Sequence, residues 1–160
     1  MVDIEKRRWF SFNKNQSNQL RLPWLDTAQS FTDICTRCGK CTDQCETKII
    51  VNGDGGFPQV DFSLGECTFC YQCADVCPQP LFVSKQHSPW TALATIHDSC
   101  LAKKNVECRS CGDMCEPMAI QFNLQVGKVA QPILENEACT GCGACVAACP
   151  TDSISVSHSF

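Results

Sequence analysis

Apolar residues come in short bursts along this chain, never in long helical stripes. Lys48-Ile49-Ile50-Val51 and Val60-Asp61-Phe62 are β-forming stretches on either side of Asn52-Gly53-Asp54-Gly55-Gly56, and this arrangement predicts a hairpin across 48–62. Ala119-Ile120-Gln121-Phe122 and Ile133-Leu134 flank Gly127 in the same way, which predicts a second hairpin across 119–134. Between them, residues 80–99 contain Pro80, Pro89 and Trp90 and read as an irregular connection with one short helix. Leu22-Pro23-Trp24-Leu25 reads as an extended element. No stretch reaches the roughly 18–20 apolar residues that a membrane span needs.

Composition explains why the apolar bursts are so short. Sixteen of the 160 residues are cysteine, so cysteine chemistry must organise the fold. The cysteines form four groups: Cys35, Cys38, Cys41, Cys45; Cys67, Cys70, Cys73, Cys77; Cys100, Cys108, Cys111, Cys115; and Cys139, Cys142, Cys145, Cys149. Groups one, two and four share C-x2-C-x2-C-x3-C, and the third is stretched to C-x7-C-x2-C-x3-C. This internal repeat sets the organisation: an arm over 1–30, a first half over 31–82, a connection over 83–99 and a second half over 100–160.

Secreted disulfide scaffolds also reach such cysteine counts. A secretory leader needs an apolar core after its basic start. Here Lys6-Arg7-Arg8 leads through Trp9-Phe10-Ser11-Phe12 into the polar run from Asn13 to Gln19. The expectation is therefore a cytoplasmic protein with reduced thiols. Thiolates are the soft ligands of iron–sulfur clusters, and C-x2-C-x2-C-x3-C-P is the bacterial ferredoxin signature. Cys67 to Pro78 and Cys139 to Pro150 match it, proline included; Glu46 and Glu116 stand in the proline position of the other two groups. Structural zinc is the bland alternative, but it favours two C-x2-C pairs across a longer loop. Iron and acid-labile sulfide analysis separates the two.

In two-cluster ferredoxins the fourth cysteine of each group ligates the other cluster. The expected sets are Cys35, Cys38, Cys41 with Cys77; Cys67, Cys70, Cys73 with Cys45; Cys139, Cys142, Cys145 with Cys115; and Cys108, Cys111, Cys149 with the displaced Cys100. That gives at least three [4Fe–4S] clusters, and four where Cys100 ligates. The fold class expected is a small α+β protein of two tandem, pseudo-twofold, bacterial-ferredoxin-like halves, each a hairpin with short helices. Glycines inside the groups (Gly39, Gly112, Gly141, Gly143) are expected to ease the tight curl. Val76, Val146, Ile120, Ile154, Leu81, Phe62 and Phe122 are the expected apolar shell, with Met114 and Met118 packed beside Cys115. His87, His97 and His158 lie at no ligand spacing and read as surface residues. No phosphate loop and no nucleophile–base pattern stands out, so the chain reads as no enzyme.

Net charge is −4, which argues against a nucleic-acid partner. Residues 1–30 carry five basic and three acidic side chains, and the remainder eight and fourteen. A basic arm thus precedes an acidic body. Arg7-Arg8-Trp9-Phe10 is similar to a twin-arginine export motif without the apolar region that must follow. It reads either as a tail with no docking role or as a docking arm, with Arg7, Arg8, Trp9, Phe10 and Trp24 as partner anchors.

Cys35-Thr36-Arg37-Cys38, Cys67-Thr68-Phe69-Cys70-Tyr71-Gln72-Cys73, Val106-Glu107-Cys108-Arg109-Ser110-Cys111 and Cys115-Glu116-Pro117-Met118-Ala119-Ile120, with Arg7-Arg8 and Pro23-Trp24, resemble the NapF family, the ferredoxin-type proteins of periplasmic nitrate reductase systems. The resemblance covers essentially the whole chain. It implies a cytoplasmic accessory protein that acts on the precursor of the catalytic subunit before export, in cluster assembly or reduction. The competing readings are a generic soluble electron carrier and a fixed subunit of a larger complex.

Overall fold

The computed structural model describes residues 20–158; Arg7, Arg8, Trp9 and Phe10 lie outside them. Both predicted hairpins form. Strand β1 (Ile50–Asn52) pairs antiparallel with β2 (Pro58–Val60), Ile50 opposite Val60. Strand β4 (Ile120–Asn123) pairs antiparallel with β5 (Gln131–Leu134), Ile120 opposite Leu134. Each is too short to be stable alone, so each lies against short helices that carry cysteines. These are α1 (Phe31–Ile34), α2 (Lys40–Gln44), α3 (Gln72–Asp75), α4 (Ser110–Asp113) and α5 (Ala144–Ala147). Helix α2 packs on α3, and α4 on α5.

The region 80–99 is not irregular with a helix as expected. It contains strand β3 (Ala92–Ile96), which pairs antiparallel with β6 (Ile154–His158), Ala94 opposite Val156. Ala92 and Ala94 are buried on one face while Thr95 is exposed, and Ile154 and Val156 bury the matching face of β6. That is the two-residue period of a half-buried strand. Small alanines face inward where the cysteine loops crowd in: a Cβ on Gly141 would lie 2.4 Å from the Ala92 carbonyl oxygen.

The same device recurs earlier in the chain. Leu25 and Phe82 form an antiparallel bridge, Val83 N–H donates to the Trp24 carbonyl at 2.8 Å, and Asp26 N–H donates to the Leu81 carbonyl at 2.9 Å. In both cases the segment before a pair of cysteine groups is tied to the segment after that pair. Trp24 is therefore a core residue, 4% exposed, and not the exposed anchor expected of it. Its indole N–H donates to the His87 carbonyl at 2.9 Å, and its ring meets Tyr71 edge-on at 5.1 Å. Leu20 and Leu22 are buried with it. The wider core holds Ile49, Ile50, Phe62, Leu81, Ile120, Ile154 and Val156, while Val76, Val146 and Phe122 are half-buried.

Candidate iron–sulfur centres

Three of the four cysteine groups share one backbone conformation. The residues on either side of the second cysteine both take positive φ: Arg37 and Gly39 at 56° and 77°, Phe69 and Tyr71 at 54° and 75°, Gly141 and Gly143 at 73° and 84°. Two left-handed residues around one cysteine curl the loop so that its thiols converge. Only the fourth group has glycine at both positions. In the others, Arg37, Phe69 and Tyr71 sit in a region that side chains adopt rarely, as happens where a site dictates the backbone. The stretched third group departs from this: Arg109 has φ −135°. Its Gly112 has another purpose than the one expected, because a Cβ there would lie 2.8 Å from Phe122 Cε2.

The curls bring the thiols into quartets. Cys35, Cys38, Cys41 and Cys77 line one hollow, with Leu22, Phe31 and Leu81 in its wall. Cys67, Cys70, Cys73 and Cys45 line a second, with Ile49, Ile50 and Val60. Cys139, Cys142, Cys145 and Cys115 line a third, with Ala94, Ile120 and Val156. Around Cys111 the interacting thiols are Cys100, Cys108 and Cys149. Cys100 is held for this by a 3₁₀ turn over Ala102–Lys104, buried at Ala102 and anchored by the Gln131 side-chain amide, which donates to the Ala102 carbonyl at 2.8 Å.

The donor chemistry fits [4Fe–4S] clusters. Each quartet is all-thiol, three of them line hollows with mainly apolar walls, and every one of the sixteen cysteines is free. A single tetrahedral ion would draw four sulfurs to roughly 3.8 Å from one another. Among the described residues, no group of three or more His, Cys, Asp or Glu side chains is set to hold one ion. Three of the quartets surround a hollow, as a cubane with one iron per thiolate requires.

Electrostatics separates the thiols by position. Burial pushes the Cys73 and Cys145 thiols up to about 12, helped by neighbouring thiolates. Burial likewise takes Cys67 and Cys111 to about 11. Burial thus disfavours the thiolate form of all four groups. Cys45 and Cys149 behave oppositely. Burial pushes both up, but hydrogen bonds outweigh it and both thiols lie below their ordinary value. On Cys45 these come from the Thr47 hydroxyl (3.6 Å) and the backbone N–H groups of Ile49 and Ile50. On Cys149 they come from Thr151 and from Ser153 N–H at 3.2 Å.

Residues 34–82 match the 4Fe-4S dicluster domain, and residues 132–155 the 4Fe-4S binding domain. The ferredoxin-type protein NapF of Escherichia coli (strain K12) is 44% identical over 162 residues, spanning 98% of this chain and 96% of the relative. NapF of Haemophilus influenzae (strain Rd) is 49% identical over 137 residues, 86% of this chain and 78% of that one. The ferredoxin-type protein NapG of E. coli K12 is 30% identical over 152 residues, 82% and 66%.

This chain belongs to the NapF family of ferredoxin-type proteins. It is an iron–sulfur protein with multiple [4Fe–4S] clusters, as its matched domains and sixteen cysteines require. No helix among the described residues is long and apolar enough to cross a membrane. Sequence reasoning missed Thr47, Thr151 and Ser153. The signal for two of them was present, since Thr47 and Thr151 each stand two residues after a cross-ligand candidate. Met114 and Met118 do not pack beside Cys115 as shell; they are 53% and 73% exposed. His87, His97 and His158 are exposed, and the His97 ring Nε2 lies 2.8 Å from the Ser155 hydroxyl.

Proposed function

We propose that this NapF-family chain is a cytoplasmic accessory protein, not an enzyme, with four [4Fe–4S] clusters held by crossed ligation in two ferredoxin-like halves. Its work is the maturation, by cluster assembly or reduction, of the catalytic subunit of periplasmic nitrate reductase before export. The observation that carries the reading is 44% sequence identity to NapF over nearly the whole of both chains. The halves run from the segment before each pair of cysteine groups to the segment after it, about 20–83 and 92–158. The ligand sets are the four quartets, with Cys77, Cys45, Cys149 and Cys115 as the ligands that cross between groups and Cys100 completing the third site.

The clusters supply reversible one-electron chemistry. The chain's own residues position and tune it. Left-handed residues around Cys38, Cys70 and Cys142 aim the thiols inward. Leu22, Ile49, Ile120 and Val156 exclude water from the hollows. Thr47 and Ser153 stabilise negative charge on Cys45 and Cys149, which raises the potential of the sites those sulfurs serve.

The test is capture of the cytoplasmic reductase precursor by anaerobically purified full chain and by a chain lacking residues 1–19. Binding by the full chain, weakened at least tenfold by the deletion, is expected if the basic aromatic arm docks. Binding unaffected by the deletion removes the arm's role, and no complex at all removes the maturation reading. The acidic body favours a second reading, a generic soluble electron carrier with salt-sensitive docking. That reading prevails if a deletion strain exports fully active reductase but loses electron supply.

A further inference from the structure

The two halves meet through their cysteine loops. The backbone N–H of Cys67, first thiol of the second group, donates to the carbonyl of Cys142 in the fourth group at 2.8 Å. Both residues line one open hollow between the halves, with Thr68, Phe69, Pro117 and Thr140.

Several independent features hold this approach in place. Beside Cys142, Gly143 leaves room for Phe62 from the first half: a Cβ there would fall 2.0 Å from Phe62 Cδ1. Trp90, just before β3, donates its indole N–H to the Thr140 carbonyl at 3.0 Å. Its ring stands edge-on to Phe62 at 6.0 Å and to Phe69 at 5.9 Å. Phe62, Phe69 and Trp90 thus clamp the second cysteine group against the fourth. Among the described residues, no such backbone hydrogen bond joins group one or group three to the other half.

We propose that Cys67 and Cys142 carry the electron step between the halves, so that the four sites form one series: the Cys35 site, the Cys67 site, the Cys142 site, the Cys108 site. The inference rests on the crossed-ligation reading, which makes Cys67 and Cys142 ligands of two different clusters. Their bonded path, sulfur to backbone N–H, across one hydrogen bond to the carbonyl and on to sulfur, has no gap. In the step, one electron leaves the donor site, which is oxidised by one unit, and enters the acceptor, which is reduced by one. No atom or proton moves with it. The Cys35 and Cys108 sites become the two ends at which electrons enter and leave.

Two double variants of the full chain test this, read by iron analysis and by EPR of the fully reduced protein. Cys38→Ala with Cys108→Ala removes the end sites and keeps about eight irons, one cluster in each half. Its spectrum is expected to retain the splitting of two interacting spins. Cys70→Ala with Cys139→Ala keeps only the end sites and is expected to lose that splitting. Non-interacting spins in the first variant, or interacting spins in the second, overturn the junction. Clusters lost in other combinations tell against the ligand sets instead. Should a variant fail to hold its remaining clusters, the native protein decides. In half-reduced protein, NMR signals of cysteine β-protons from both halves are expected to average through one exchange process, and two separately exchanging sets overturn the proposal.

Discussion

Gly39 and Gly143 follow the second cysteine of their groups and share a left-handed backbone, yet their surroundings differ. A Cβ on Gly39 meets nothing within 4 Å, whereas one on Gly143 strikes the Phe62 ring. Gly39→Ala should cost about 1–2 kcal/mol, the strain of a left-handed alanine. Gly143→Ala adds overpacking and should cost roughly 2–5 kcal/mol. The denaturant midpoint of the holoprotein, followed by its cluster absorbance, ranks the two. Thr47 offers a second test, because its hydroxyl can only donate to a thiolate. A hydrogen bond of about 1 kcal/mol on a one-electron couple corresponds to about 40 mV, so Thr47→Val should lower the potential of the site that Cys45 serves by that order in a redox titration. The raised thiols give a pH dependence of known sign. Burial favours the protonated form of Cys67, Cys73, Cys111 and Cys145, and iron takes cysteine only as thiolate, so assembly on the proposed ligand sets releases protons and is favoured as pH rises. Reconstitution yield should increase from about pH 7 to pH 9, with proton release measurable in weak buffer. The cysteine positions were plain in the sequence because their spacing is regular. The left-handed Arg37, Phe69 and Tyr71 were not, since nothing in those residue types announces positive φ.

At the scale of elements, the hairpins were legible because their partners are local and turn-forming residues separate them. The β3–β6 pair was not. Ile154-Ser155-Val156-Ser157-His158 alternates as a strand should, but its partner lies across two cysteine groups. The partner's inward residues are alanines, too small to signal a buried face. Trp24 hides its role for a similar reason: an aromatic beside a proline looks like an exposed docking residue until Val83, His87 and Pro89, more than fifty residues on, are seen closing on it. Its burial predicts that Trp24→Ala costs roughly 3–5 kcal/mol. The loss should appear as faster bleaching of the holoprotein in denaturant, not as weaker partner binding by protein that remains folded. In the third group, the turn over Ala102–Lys104 accounts for the extra residues between Cys100 and Cys108. Cys100→Ala should therefore lower the iron content by about four per chain and spare the other sites, which iron analysis and EPR spin counting check.

On the scale of the whole molecule, inorganic contents and a thin apolar shell replace an ordinary core. The buried residues form a sheath around the cysteine hollows, and short strands and helices gain most of their order from it. The charge asymmetry survives in this arrangement: the basic excess lies in residues 1–30 and the acidic excess in the body. The tie between Trp24 and residues 81–89 also imposes a timetable on the newborn polypeptide. Synthesis delivers Leu22 and Trp24 early, but the His87 and Pro89 carbonyls that accept from Trp24 are made only after Cys77. A chain ending at Pro78 would own all eight thiols of its first two groups and still be unclasped, its hollows open to oxygen and to the wrong metal.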